Sequence, residues 1–222
     1  MIIWLILALI FALLEAIAVS RNLDRLEYLA KPAVMICLFL WLFTATGLQG
    51  NAFWFGLGIL FSLAGDVLLM LPRARLFLPG LIAFLLAHIF YIAGFNGGMD
   101  SLNLWSLVLL IVIAINVSRL IRRIVEAMRT RGQGQLAVPV ILYGTVISVM
   151  LYAAMSTIYN PAWRTSAAFF VSLGALFFCA SDLLLAWNRF VSPLKNGQVW
   201  SITLYHLGQI GLIAGVVSQF PG

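Results

Sequence analysis

Eight apolar segments, each long enough to cross a lipid bilayer, follow one another along the chain. A membrane-spanning helix needs roughly 20 consecutive apolar residues, and inside lipid every backbone polar group must be bonded within its own segment. The segments lie near residues 2–19, 32–48, 53–71, 77–95, 102–121, 137–156, 165–187 and 199–219. The sequence therefore predicts an all-α fold, a polytopic transmembrane bundle of eight helices.

The composition leaves little room for anything besides this bundle. Hydrophobic residues make up 64% of the chain and charged residues 9%, whereas a soluble domain carries about 25% charged residues. The longest connection, near 122–136, is too short for a separate domain, so residues 1–222 are expected to form a single integral membrane domain. Cys37 and Cys179 lie in apolar segments and are expected to be small buried hydrophobes.

Positive charges fall in alternate connections between the segments. Of the 13 Lys and Arg residues, only Arg164 lies outside the first, third, fifth and seventh connections or the helix ends beside them. The others are Arg21, Arg25, Lys31, Arg73, Arg75, Arg119, Arg122, Arg123, Arg129, Arg131, Arg189 and Lys195. The positive-inside rule places these connections in the cytoplasm and both termini on the non-cytoplasmic side. The net charge of +6 is thus expected to face lipid head groups, with no nucleic-acid partner.

Two segments each carry one aspartate close to their predicted cytoplasmic end. The third segment contains AGDVLLML with Asp66, and the seventh contains ASDLLLAW with Asp182. Each aspartate precedes the end of its segment by five residues, which places both roughly 8 Å from the cytoplasmic boundary. A carboxylate in a membrane helix is costly and usually faces the bundle interior or water. We therefore expect both acids to face one cavity that opens to the cytoplasm.

Other polar side chains are predicted in one layer open to the cytoplasm: Tyr143 and Tyr205 lie roughly 10 Å in, and His88 lies deeper, roughly 16 Å in, with Tyr91 one turn further. The outer half of the segments holds little beyond Ser, Thr and Gly. The group comprises His88, Tyr91, Tyr143 and Tyr205 within the helices, and Lys31, Asn188 and Arg189 at the mouth. The two aspartates and these residues could instead serve only the structure of the bundle. An aspartate can bridge helices, and a buried tyrosine needs only a hydrogen-bond partner for its hydroxyl. Glu15 is expected to extend to the membrane interface, and His206 to be structural.

The two aspartate segments also indicate an internal repeat. The segment after each carries a histidine, His88 or His206, and Pro32 and Pro139 lie at corresponding starts of the second and sixth segments. Four helices return the chain to its starting side, so the halves would be parallel repeats in a 4+4 arrangement.

Paired acids in a low-dielectric site permit acid–base chemistry. Two neighbouring carboxyl groups do not both ionise easily, so one is expected to hold a proton and the other to act as a base. Ser181 adjoins Asp182, which turns their side chains about 100° apart on a helix and disfavours a catalytic triad. A metal site made of Asp66, His88, Asp182 and His206 is an open alternative.

Five stretches of the chain, taken in order, resemble one known family. They are KPAVM at 31–35, AGDVLLML at 64–71, FLPGLIAFLLAHIFY at 77–91, GALFFCASDLLLAWNRF at 174–190 and LYHLGQ at 204–209. They are similar to the YhhN family of lysoplasmalogenase-like membrane proteins. The resemblance covers nearly the whole chain. Its most specific part is SDLLLAWNRF, residues 181–190.

This resemblance implies an enzyme that cleaves the vinyl ether bond of lysoplasmalogens. The products would be a fatty aldehyde and glycerophospho-ethanolamine or glycerophospho-choline. The matching positions are Lys31, Asp66, His88, Tyr91, Ser181, Asp182, Asn188, Tyr205 and Gln209. The expected catalytic residues are Asp66 and Asp182, with His88 and Tyr91 orienting water or an acid. The expected substrate-binding residues are Lys31, Tyr143, Ser181, Asn188, Arg189, Tyr205 and Gln209. No metal and no cofactor are expected.

Two other classes of protein remain open from the sequence. A proton-coupled carrier of small molecules or lipids also uses paired acids within repeats, but it needs a polar route through the outer half. A helper protein that binds lipid or stabilises another membrane protein would not need two acids at matched depth. The expected partners are a lysophospholipid substrate and the bilayer, with the oligomeric state open, and the short loops favour a bacterial inner membrane.

Overall fold

Eight long helices make up the protein in a computed structural model that describes residues 2–71, 74–95 and 103–220. The helices are α1 Ile2–Arg21, α2 Asp24–Thr46, α3 Ala52–Met70, α4 Phe77–Phe95, α5 Leu104–Thr130, α6 Ala137–Ser156, α7 Thr165–Phe190 and α8 Gly197–Gln219. All eight are long and apolar enough to cross a membrane, and the described residues contain no strand. The predicted all-α bundle is confirmed, while Arg73 and the predicted start of the fifth segment at residue 102 lie outside the described residues.

Consecutive helices pack as pairs, and the pairs join through α2, α4, α6 and α8. The connections α1–α2, α3–α4, α5–α6 and α7–α8 carry Arg21, Arg75, Arg131 and Lys195, and we call the side of the bundle that holds them the basic end. The side of the membrane that this end faces stays a prediction from the charge pattern, as does the internal repeat.

The tightest pair is α7 with α8, and glycines make its close approach possible. A Cβ atom on Gly208 would lie 2.7 Å from the backbone nitrogen of Phe178, so no larger residue fits there without displacing the backbone. Gly174 and Gly211 meet at the same crossing. Small residues let membrane helices approach closely in the absence of a hydrophobic driving force between them. This contact fixes Asp182 of α7 relative to Tyr205 of α8.

The fifth helix is longer than the sequence predicts. It continues to Thr130, whereas the prediction ended it near residue 121 and assigned 122–136 to a connection. The reason is a small apolar cluster in which Ile124 and Met128 pack against Val140 and Phe190. Two apolar residues four positions apart in a basic stretch are enough to keep one helical face on the bundle.

The second helix begins at Asp24, eight residues before the predicted start at residue 32. Pro32 therefore lies inside α2, not at its first turn. A proline removes one backbone hydrogen bond from a helix, a loss that packing in a membrane bundle tolerates. Asp24 and Glu27 in the first turn also suit the positive end of the helix dipole. The additional turns of α2 include Tyr28 and Lys31.

Aromatic side chains fill the bundle at the end opposite to the basic end. The ring centroids of Phe55 and Phe95 are 4.9 Å apart, those of Phe95 and Trp163 are 5.9 Å apart, and those of Trp163 and Phe220 are 5.7 Å apart. Phe55 and Phe95 are fully buried. We call these four residues the aromatic cluster, and it makes this half of the bundle a packed apolar core.

Candidate active site

A cavity of about 610 Å³ reaches the basic end between α2, α3, α4, α7 and α8. Asp66 and Asp182 both line it, together with Lys31, Tyr205 and Arg189. The two acids that the sequence placed at equal depth therefore face the same space. Asp66 reaches this space from α3, where it bonds Tyr205 of α8, and Asp182 lines it from α7.

Asp66 is enclosed by groups from α2 and α8. Its side chain is 2% exposed, and one carboxylate oxygen accepts a hydrogen bond of 2.6 Å from the hydroxyl of Tyr205. The other oxygen lies 3.6 Å from the Nζ atom of Lys31, which is itself 14% exposed at the cavity wall. A buried carboxylate needs both charge compensation and hydrogen bonds, and Asp66 has one of each.

Asp182 has a different set of neighbours, supplied by α4 and α6. The hydroxyl of Tyr143 donates to its Oδ2 atom, and the Nε2 atom of His88 lies 3.5 Å from that same oxygen. His88 Nε2 is also 3.0 Å from the Tyr143 hydroxyl, so the three side chains form a continuous chain. Asp182 is 13% exposed, whereas His88 is fully buried with its ring against Phe178. This chain connects the cavity wall to a buried imidazole.

Tyr91 and Gln209 lie behind the cavity wall and bond to each other. The Tyr91 hydroxyl donates to the Oε1 atom of Gln209 over 2.8 Å, and the Gln209 amide donates to the hydroxyl of Ser62 over 3.0 Å. All three side chains are fully buried. The structure thus brings these two predicted site residues together, but it makes them a bridge among α3, α4 and α8 instead of part of the cavity lining.

The remaining predicted residues lie along the cavity, and several of their polar atoms are already used. Ser181 donates to the backbone carbonyl of Ser201 over 2.8 Å, which ties α7 to α8. Asn188 accepts the backbone N–H of Leu194 over 2.9 Å and so holds the connection between these helices. Arg189 stacks over the ring of Phe77, with 3.8 Å from the guanidinium carbon to the ring centroid. Lys31 and Arg189 are therefore the cations of the cavity wall.

Glu15 does not extend to the membrane interface, so that prediction is wrong. Its side chain is fully buried, and its Oε2 atom lies 2.5 Å from the Nε2 atom of His206. The physical reason is the partner on α8, because a charge that is paired inside the bundle has no need to reach water. The sequence signal was present as a histidine in the same half of a later helix, but nothing in the sequence shows that α1 packs on α8.

The four-residue metal set considered from the sequence is not assembled around one point. His206 turns to Glu15, whereas His88 turns to Asp182. Within the described ranges, no three His, Cys, Asp or Glu side chains come together in a way that would hold a metal ion.

The two aspartates exchange partners between the halves of the chain. Asp66, on the third helix, bonds Tyr205 of the eighth, while Asp182, on the seventh, contacts His88 of the fourth. Each half of the chain therefore completes the polar surroundings of the other half's acid.

Comparison with known proteins places the chain among relatives that match most of its length. A human protein named Lysoplasmalogenase TMEM86B is 29% identical over 197 residues, which cover 84% of this chain and 75% of that protein. The mouse protein of the same name is 30% identical over 193 residues, covering 86% and 74%. A Lysoplasmalogenase homolog of Dictyostelium discoideum is 28% identical over 188 residues, covering 76% and 61%. No solved structure matches the chain. The YhhN family model matches residues 26–216, and the chain belongs to the YhhN family.

Proposed function

We propose that the protein is a membrane-embedded hydrolase that cleaves the vinyl ether bond of lysoplasmalogens. The products are a fatty aldehyde and glycerophospho-ethanolamine or glycerophospho-choline. The relatives named as lysoplasmalogenases support the substrate class. The observation that carries the proposal is that Asp66 and Asp182 line one cavity with different neighbours, one beside a lysine and one beside a tyrosine and a histidine.

The reaction needs one acid, one water molecule and stabilisation of a transient cation. A proton adds to the alkenyl carbon that is remote from the ether oxygen, and the adjacent carbon becomes part of an oxocarbenium ion. Water adds to that carbon and loses a proton, which gives a hemiacetal. The bond from this carbon to the ether oxygen then breaks, the oxygen leaves with a proton as the glycerol hydroxyl, and the aldehyde forms. One water molecule is consumed, and no group is oxidised or reduced.

Asp182 is the proposed proton donor, because its Oδ2 atom takes the hydrogen bond from Tyr143 and its Oδ1 atom can carry the reacting proton. When Asp182 holds a proton on Oδ1, its Oδ2 atom still accepts the hydrogen bond from Tyr143. When Asp182 is ionised, Tyr143 donates to Asp182 and the Nε2–H of His88 donates to Tyr143. The chain thus stabilises both states of a general acid, which is what a turnover cycle requires.

Asp66 is the proposed carboxylate that stays ionised. Burial disfavours a charge on Asp66, whereas the ammonium group of Lys31 and the hydroxyl of Tyr205 both favour its charged form. A fixed negative charge in a site that excludes bulk water stabilises an oxocarbenium ion and orients the attacking water. Lys31 and Arg189, which line the same wall, would hold the phosphate of the substrate.

The aromatic packing at the end opposite to the basic end favours an enzyme over a carrier. A carrier needs a polar route through the opposite half of the bundle, but that half contains the aromatic cluster of Phe55, Phe95, Trp163 and Phe220. With the basic end in the cytoplasm, as the positive-inside rule predicts, the cavity would receive an amphiphile from the cytoplasmic leaflet.

The test is aldehyde release by the purified protein in mild detergent, with isotopes to locate the chemistry. A lysoplasmenyl-ethanolamine is incubated in D₂O, and a saturated ether lysolipid of equal chain length serves as the control. The expected aldehyde carries one deuterium on the carbon next to its carbonyl group, and in ¹⁸O-water the glycerol product keeps unlabelled oxygen. Folded protein that releases no aldehyde, or that attacks the saturated ether equally well, would overturn the proposal.

A further inference from the structure

An apolar groove reaches Asp182 from the side, between α5, α6 and α7. It holds about 90 Å³, and its wall includes Val117 and Ile121 of α5, Gly144 and Ile147 of α6, and Cys179 and Leu183 of α7. We call it the α5–α7 groove. Tyr143 and Asp182 also line it, so its wall shares the acid of the cavity.

The groove extends along the helices beyond the depth of Asp182. On α6 its lining runs from Val140 to Ser148, a rise of roughly 12 Å at 1.5 Å per residue. On α5 it runs from Ile124 back to Val117, roughly 10 Å in the same direction. The groove therefore leads from the acid towards the middle of the bilayer, away from the basic end.

The helix that closes the groove buries little of its surface against the bundle. Only 6% of the most apolar 18-residue stretch of α5 is buried, against 22% or more for each of the other seven helices. At one point α5 packs closely on α6, because Gly144 has no side chain and a Cβ atom there would lie only 2.8 Å from the Cδ1 atom of Ile121. The outer surface of α5 is apolar, with Val108, Val112 and Ile115 exposed. A lipid chain in the surrounding bilayer thus has access to the groove without crossing a polar barrier.

We propose that the α5–α7 groove binds the alkenyl chain of the lysolipid, an inference that rests on the proposed function. The vinyl ether of such a lipid lies where the polar head group meets the apolar chain. Asp182 lies at the corresponding boundary in the protein, with the charged cavity on one side and the apolar groove on the other. A head group near Lys31 and Arg189 and a chain in the groove would place the double bond beside Asp182.

A second apolar cleft reaches Asp182 between α4, α6 and α7, but it fits the chain less well. It holds about 60 Å³, and Phe77, Arg189 and Phe190 line it. These residues belong to the basic end, so this cleft leads towards the head groups and not towards the bilayer centre. An alkenyl chain bound in one cleft would therefore contact different residues from a chain bound in the other.

Chain-length preference tests the groove with a matched pair of substitutions on α5. Val117→Trp narrows the deep end of the groove, while Val112→Trp changes a residue that is 51% exposed and is not part of the groove lining. We expect Val117→Trp to lower kcat/KM for an 18-carbon alkenyl lysolipid by about tenfold, a typical effect of altered apolar pocket shape. An 8-carbon substrate should lose less than about twofold, and Val112→Trp should leave both substrates unchanged. Equal effects of the two substitutions on both substrates would overturn the inference.

Photo-crosslinking locates the chain without requiring turnover. The probe is a saturated ether lysolipid that carries a diazirine in the middle of its 18-carbon chain, added to wild-type protein with and without unlabelled lysolipid. The expected cross-links fall within 117–124 and 144–148 and decrease on competition. Competed cross-links at Phe77 and Leu81, or no competed cross-links in the groove, would overturn the inference.

The two experiments separate the groove from the reaction. Competed cross-links in the groove combined with absent aldehyde release would leave a lysolipid-binding groove and refute the hydrolase. Aldehyde release combined with cross-links elsewhere would refute the groove and leave the hydrolase.

Discussion

Asp66 and Asp182 lie in nearly identical sequence motifs, AGD and ASD, yet their neighbours in the structure differ. Asp66 is 2% exposed and lies 3.6 Å from the Nζ atom of Lys31. Asp182 is 13% exposed beside Tyr143 and His88, two groups that can pass a proton. The helices that pack against α3 and α7 supply these differences. A repeated motif can therefore acquire two chemical roles from neighbours that are not repeated.

The largest effect is expected from removing the acid itself. Asp182→Asn should lower the single-turnover rate of aldehyde release by about a thousandfold, and Asp66→Asn by about a hundredfold, within the range for general acid–base groups. The Asn side chain keeps the shape but cannot donate the reacting proton or carry the charge. The control is Glu126→Gln, which alters an exposed carboxyl group on α5. Full activity in either aspartate variant would break the proposed division between the two acids.

Glu15 is a third buried acid, and it lies away from the cavity lining. Glu15→Leu leaves His206 without its partner and should lower the free energy of unfolding by about 3–5 kcal/mol. The double change of Glu15→Leu and His206→Leu should recover most of this loss, because no unpaired group remains. Thermal unfolding in detergent measures both. If the folded double variant has no activity, the pair contributes to more than stability.

Tyr143 and Tyr205 bond different acids, so their substitution should affect the reaction differently. Tyr143→Phe breaks the chain from His88 to Asp182 and should lower kcat by about tenfold to a hundredfold, the worth of a hydrogen bond to a charged group. Tyr205→Phe should cost about tenfold or less, since Lys31 still compensates Asp66. The pH profile of kcat should change in the first variant and keep its shape in the second. Equal losses with unchanged profiles would remove the distinction between the two acids.

The smallest effect is expected at Ser181, which adjoins Asp182. Its hydroxyl bonds the backbone carbonyl of Ser201, so Ser181→Ala should cost about 1 kcal/mol of stability and change kcat/KM by less than about twofold. Ser201→Ala, which removes the reciprocal bond to the carbonyl of Ser181, is the matched comparison. A large rise in KM for Ser181→Ala alone would return this residue to the substrate-binding group.

Much of the fold follows from the sequence because a bilayer imposes a length on every apolar segment. The same reasoning gives depth, and depth placed Asp66 and Asp182 at one level of the bundle. It does not say which helices touch, so the pairing of Glu15 with His206 was missed. Similarly, the family resemblance identified Tyr91 and Gln209, but only the structure shows that they bond each other. The extension of α5 was missed because Ile124 and Met128 are apolar residues within a basic stretch.

The most direct measurement is an infrared spectrum of the resting protein at neutral pH, in the carbonyl region of protonated carboxyl groups. A proton held on Asp182 predicts a band that Asp182→Asn removes and Asp66→Asn leaves in place, with Glu126→Gln as the control. A band that disappears in Asp66→Asn and persists in Asp182→Asn would contradict this assignment, because the lysine-paired acid would then carry the proton.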